Sequence, residues 1–232
     1  MATAPEKSSE HENRKLARLY AYRFGSTGLD DRNRVWTILC RSFFDRHVVR
    51  DGSILELACG YGEFINHIDV QEKYAVDLNP DAKERLKGDI DFHLVKAHEL
   101  GFLSEGSVDR VFTSNFLEHL PDKNSCDEVL AEVRRVLKPG GKFMILGPNI
   151  KYLYAEYWDF YDHYLPLSHL SLAEGLIANG FDIETMIDRF LPYSMQSKVP
   201  TRSFLVETYL RLPFAWRFFG KQFFVAGRKP SA

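Results

Sequence analysis

The chain has 232 residues, 45% of them hydrophobic and 27% charged, enough for one substantial α/β core, and a second domain is not expected. A formal net charge of −2, from nearly equal acids and bases, excludes the overall basic surface that nucleic-acid phosphates select, so no nucleic-acid partner is expected. Cys40, Cys59 and Cys126 are odd in number and show no metal or redox spacing, which reads as reduced thiols in a cytoplasmic protein; no stretch supplies the roughly 20 apolar residues of a membrane span.

The first residues, MATAPEKSSEHENRK, are polar, lack the apolar centre of a signal peptide and read as a frayed start. Helical periodicity runs from about Arg14 to Arg23 and again from Arg32 to Val48, where Val35, Leu39, Phe43 and Phe44 share a face; residues 1–50 read as a helical extension or lid, and 51–232 as the domain itself. From Ser53 strands and helices alternate: ILELA, a helix near Tyr61 to Ile68, YAVDL, a short helix after Asn79-Pro80, DFHLV, VDRVFTS, a long helix and KFMILG. That alternation predicts a parallel sheet with right-handed crossovers. S-x-x-E spacing places capping boxes at Ser125 with Glu128 and at Ser171 with Glu174; Pro139-Gly140-Gly141 ends the long helix, and Gly180 stands just past the second one. FDIETMI and QFFVAGR read as the last strands, with a long insertion between them.

The turn after the first strand, in ILELACGYGEF, carries the chemistry: Ala58, Gly60 and Gly62 let the backbone approach a nucleotide-like ligand closely. A dinucleotide fingerprint, G-x-G-x-x-G, fails at its third glycine, where Glu63 or Ile65 stands according to the register chosen. What is present is an acid at the strand end followed by small-x-Gly-x-Gly, Glu56 to Gly62. This resembles motif I of the class I S-adenosylmethionine-dependent methyltransferases. YAVDLNP puts Asp77 at the second strand end, SVDRVFTSNFLEHLPD is similar to that family's fourth strand and turn, and LAEVRRVLKPGGKFMILGPN to its helix, turn and fifth strand.

The resemblance implies a Rossmann-like α/β fold: a seven-stranded, mostly parallel sheet with an antiparallel last strand and helices on both faces. It implies S-adenosyl-L-methionine as cofactor. Glu56 would hold the methionyl end, Ala58, Gly60 and Gly62 would line the turn, Asp77 would hold the ribose hydroxyls, and Leu78 would cover an adenine face. VKAHELGF aligns with a family segment whose acid contacts the adenine amino group; Lys96 replaces that acid, leaving Ala97 and His98 to supply the contact, and Asn115 completes the cofactor side.

The sulfonium methyl is already activated, so the protein's task is to align an acceptor and exclude water. A hydroxyl acceptor must also lose a proton, for which histidine is the natural base. His163 is the first candidate, with Asp162 or Asp159 as an orienting acid; His119 and His169 follow. Two related groups, the ubiquinone-pathway O-methyltransferases and the small-RNA 2′-O-methyltransferases, hold a divalent metal with E-x-x-E-H; here Asn115 takes the place of the first carboxylate before Glu118-His119, and no metal is expected. Tyr154, Tyr157, Trp158 and Tyr161 fall on one helical face and could wall the acceptor pocket.

Residues 150–170 and 191–221 thus read as acceptor-side insertions. The second is aromatic and basic and fits a cap over the acceptor, a dimer contact or a peripheral membrane surface. Together with LGPN and WDFYDHYLPLSH, this tail is similar to methyltransferases of bacterial polysaccharide and secondary-metabolite pathways, which implies a small-molecule methyl acceptor, with O-methylation of a hydroxyl on a sugar or secondary metabolite as the expected reaction. N- or C-methylation, or an inactive S-adenosylmethionine-binding partner protein, is the alternative, and the chain is expected as a monomer or homodimer.

Overall fold

A computed structural model describes residues 29–193 and 202–231, together with Arg18, Leu19 and Tyr22. The periodic stretch from Arg14 to Arg23 lies mostly outside the described residues. Helix α1 (Leu29–Ser42) continues into a 3-10 turn, Phe44–His47. Seven strands follow: β1 (Ser53–Leu57), β2 (Glu72–Val76), β3 (Ile90–His93), β4 (Val108–Ser114), β5 (Leu137–Pro148), β6 (Asp182–Ile187) and β7 (Gln222–Arg228). They form one sheet in the order β3-β2-β1-β4-β5-β7-β6, with β7 antiparallel to both neighbours. This is the doubly wound sheet with a reversed last strand that the alternation and the resemblance imply. β7 can reverse because it follows an insertion that returns the chain to the same edge of the sheet, whereas parallel neighbours need a crossover.

Alternation along the strands builds a core on each face. Leu55 and Leu57 of β1, Val111 of β4, Phe143 and Ile145 of β5, and Phe223 and Val225 of β7 pack with Val129, Leu130 and Val133 of α2 (Lys123–Val136) and Leu172 and Leu176 of α4 (His169–Ala178). Their neighbours Ile54, Phe112, Met144, Leu146, Phe224 and Ala226 face the other way, onto Ile38 and Leu39 of α1, Phe43, Phe44 and Phe64. Both faces of the central strands are therefore buried, as the near-continuous apolar runs require. Trp36 of α1 stacks on Phe44 and meets Phe64 and Phe112 edge-on, so α1 packs against this face of the sheet.

Several local expectations are corrected. Residues 60–67 form consecutive turns and no regular helix: Asn66 and Ile68 bond four residues back, His67 three, and the Ile65 N–H is diverted to the Glu56 side chain. The long helix is capped by Asp122, whose Oδ1 accepts the Ser125 N–H at 2.8 Å, and α4 by Ser168, in a reciprocal box with Ser171. In both cases the expected cap lies one turn too late, because a polar residue stands three positions upstream as well. Gly180, at φ 79°, ends α4 with its N–H on Ile177 and that of Phe181 on Leu176, the paired bonds of a Schellman stop. The 150–160 stretch is a one-turn helix α3 (Ile150–Leu153) and a 3-10 turn, Glu156–Asp159. Its aromatics share no face: Tyr157 is fully buried while Tyr154, Trp158 and Tyr161 are exposed. The 191–221 insertion carries α5 (Ser203–Arg211) and α6 (Pro213–Phe219).

Candidate active site

Four strand ends meet at the carboxyl edge of the sheet, because β2, β1, β4 and β5 are parallel neighbours with Val76, Leu57 and Thr113 in register. Open α/β sheets bind ligands at this edge. The residues just past β1 and β4, Ala58 at φ 51° and Asn115 at φ 49°, are both left-handed without being glycine. Such strained positions concentrate where a backbone must be aimed rather than merely connected. Gly60 and Gly62 are also left-handed, at φ 55° and 72°, a conformation that favours glycine, and a Cβ on Gly62 would crowd a Leu86 methyl at 2.6 Å.

Asp77 holds this turn from the neighbouring strand. It is buried, and its Oδ2 accepts the Gly60 N–H at 2.7 Å while Oδ1 accepts the Asn79 N–H at 2.7 Å. Each oxygen keeps lone-pair capacity for a ribose hydroxyl. Burial pushes its carboxyl above the usual range, against the pull of these backbone bonds. Glu56, buried in β1, accepts the Ile65 N–H at 3.0 Å through Oε2, and burial raises its pKa well above the ordinary value despite that bond. Two buried acids beside one turn are a destabilising arrangement that a cationic ligand would relieve. Leu78 is 38% exposed at the end of β2. Ala97 and His98 lie in a turn after β3, closed by the Glu99 N–H on Lys96, with His98 Nδ1 4.0 Å from the Glu128 carboxylate of α2. Sequence reasoning missed Arg32, whose guanidinium pairs with Glu63 and ties α1 to the glycine turn; a link across 31 positions leaves no local signal.

The acceptor side begins at the 3-10 turn Leu117–His119 after β4. The Glu118 carbonyl accepts the N–H groups of Tyr164 and Leu165 at 2.8 and 3.1 Å, drawing the distant segment 160–165 onto this turn. His119 Nδ1 then lies 2.8 Å from the Asp162 carbonyl and 3.4 Å from its carboxylate. The carbonyl can only accept, so Nδ1 carries the proton and Nε2 of the neutral ring is left basic. The His163 ring centre is 5.0 Å from that of His119, and His163 is buried against Phe160 and Tyr157. Glu118, His119 and His163 each place a ligand atom within 4.8 Å of the others. Asp162 thus meets His119 through both its carbonyl and its carboxylate.

His169 belongs to a different arrangement. Asn149 Nδ2 donates to its Nδ1 at 2.9 Å, Tyr152 lies parallel to its ring, and burial holds its pKa below the ordinary value. Asn149 also bonds the Asp188 carbonyl and caps α3, so His169 fastens α4 to the end of β5 and its Nδ1 lone pair is consumed.

Residues 55–145 match the model of a family described as a methyltransferase domain. This stretch is a methyltransferase domain. A protein of Encephalitozoon cuniculi named as a methyltransferase is 30% identical over 49% of this chain and 53% of its own length. The ubiquinone biosynthesis O-methyltransferase of Thiobacillus denitrificans is 35% identical over 43% of this chain and 42% of its own. The chain thus spans about half the length of these curated relatives. A solved S-adenosylmethionine-dependent methyltransferase of Archaeoglobus fulgidus superposes with a TM-score of 0.65 at 21% identity, covering 92% of this chain and 99% of the other, which shows the fold. The methyltransferase domain covers β1 to β5, and therefore both the glycine turn and Glu118-His119.

Proposed function

We propose that the chain transfers the methyl group of S-adenosylmethionine to a hydroxyl of a small-molecule acceptor, with His119 as the base. The observation that carries this is His119 beside the cofactor edge, with its Nδ1 proton held by Asp162 and its ring partly exposed, while His163 is buried and His169 is occupied by Asn149. Bound at this edge, S-adenosylmethionine would supply the activated methyl to the acceptor oxygen and leave as the neutral thioether, and His119 Nε2 would take the acceptor proton. The Thiobacillus denitrificans relative, an O-methyltransferase by name, supports oxygen as the acceptor atom.

The test is incubation with S-adenosylmethionine carrying a labelled methyl and a panel of hydroxylated sugars and phenols, read by mass spectrometry. His119→Ala is expected to lower turnover by about 10²–10⁴-fold with cofactor affinity unchanged; undiminished turnover would remove His119 from the base role, and label appearing only on nitrogen or carbon acceptors would remove oxygen.

A second reading is favoured by the convergence of Glu118, His119 and His163. A carboxylate and two imidazoles suit a divalent transition metal with open positions, which would polarise the acceptor hydroxyl when bound. On this reading Zn²⁺ or Mn²⁺ raises the melting temperature of the wild type but not of His163→Ala, and chelation abolishes turnover until metal is restored. On the base reading, neither the melt nor the turnover responds to metal.

A further inference from the structure

The α5–α6 hairpin of the 191–221 insertion is firmly seated yet leaves its most apolar side chains outside. Its inner residues Val206, Tyr209, Leu210 and Trp216 pack on the core face that contains Phe43 and Phe190. The Tyr209 hydroxyl donates to the Phe190 carbonyl at 2.6 Å, Trp216 Nε1 donates to the Tyr209 carbonyl at 2.8 Å, and Arg41 of α1 pairs with Glu207 at 3.0 Å. The hairpin is therefore a fixed element of the fold. Its outer surface carries Phe204, Phe214, Phe218 and Phe219 at 73, 68, 68 and 64% exposure, and α6 has no buried residue. Phe214 and Phe218 lie ring to ring at 6.2 Å, and with Phe204 and Phe219 exposed on the same helical pair this exceeds the scattered apolar exposure usual on protein surfaces.

Charge indicates what covers them. Across residues 202–221 the sequence holds Arg202, Arg211, Arg217 and Lys221 against the single acid Glu207, in a chain whose net charge is −2. That acid is engaged by Arg41 of α1, and Arg211 and Arg217 are exposed on the same two helices as the phenylalanines. A second copy docked through the same face would set arginines against arginines. We infer that the outer face of α5–α6 docks on the surface of an anionic lipid bilayer: the phenylalanine rings enter the boundary between headgroups and acyl chains, and the arginines meet lipid phosphates. No helix among the described residues is long and apolar enough to cross a membrane, so the contact is peripheral. It would also orient the domain. α6 leads through Gly220 to Gln222, which pairs with Pro148 at the carboxyl end of β5, and Lys221 pairs with Glu156 on the acceptor-side segment.

Co-sedimentation with phosphatidylcholine vesicles, with and without phosphatidylglycerol, tests this at low and high salt. The wild type is expected to sediment with the anionic vesicles only, and to be released by salt. Phe214→Ser/Phe218→Ser/Phe219→Ser and, separately, Arg211→Glu/Arg217→Glu are each expected to lower the bound fraction at least about tenfold while the melting temperature holds, since the replaced side chains are exposed. A wild type that stays in the supernatant, or a serine variant that sediments like the wild type, overturns the proposal. So does a dimer in sedimentation velocity that the serine variant dissociates, which would make a second copy the occupant. The readout needs neither cofactor nor acceptor, so it stands or falls independently of the methyl-transfer reading.

Discussion

Asp77→Asn is expected to weaken S-adenosylmethionine binding by about a hundredfold, and to lower the melting temperature of the free protein as well. The two effects have different causes. For the cofactor, a carboxylate that can accept from both ribose hydroxyls becomes an amide with one acceptor; losing charge-assisted hydrogen bonds worth about 1.5–3 kcal/mol each accounts for an effect of that size. For the fold, both Asp77 oxygens already take backbone N–H groups, from Gly60 and Asn79, each at 2.7 Å. An asparagine places its NH2 against one of those donors in a buried site, a mismatch of about 1–3 kcal/mol. Isothermal titration and a thermal melt separate them. A lowered melting temperature with unchanged affinity would reduce Asp77 to a clamp on the turn; unchanged affinity and stability together would remove it from the site.

This double duty explains why part of the site was legible in the sequence and part was not. The strands β1, β4 and β5 announce themselves as apolar runs because both their faces are buried, and the turn after β1 shows its glycines. The partner that shapes that turn, Asp77, lies only 17 positions from Gly60 and marks the end of the next strand, so motif and structure agree. Helix starts were less legible: Asp122 and Ser125, like Ser168 and Ser171, both satisfy a capping pattern, and only the observed first turn chooses the upstream residue. The acceptor side was least legible. His119 and Asp162 are 43 positions apart and meet only because Tyr164 and Leu165 hydrogen-bond to the Glu118 carbonyl. No periodicity encodes that contact, and the aromatic spacing at 154–161 pointed to a helical face that the chain breaks into two short turns.

Glu56→Gln should separate stability from function in the opposite way to Asp77→Asn. Among the described residues one Glu56 oxygen takes a backbone donor, Oε2 from Ile65 at 3.0 Å, and the glutamine carbonyl can keep that bond. The charge is what changes. Burial raises the folded-state pKa of Glu56 well above its ordinary value, with Glu63 and Asp77 adding to it, so the folded chain retains a proton that the unfolded chain has already released. By linkage this lowers stability as pH rises from the unfolded carboxylate range toward the folded pKa, the reverse of a salt-bridged acid. Glu56→Gln removes the penalty. Its melting temperature should match the wild type in acid and exceed it progressively toward neutral pH, by about 2–4 °C for each kcal/mol recovered in a chain of this size. Cofactor affinity should move the other way, falling about 10–100-fold as the ammonium of the methionyl end loses its charged partner. In the wild type, the same coupling predicts that the cationic cofactor lowers the Glu56 pKa and expels a proton, visible as a binding enthalpy that depends on buffer ionisation heat and disappears in Glu56→Gln. A variant no more stable than the wild type at neutral pH would mean that the buried carboxyl carries no charge penalty, and proton release that persists in Glu56→Gln would assign the linked proton to another group.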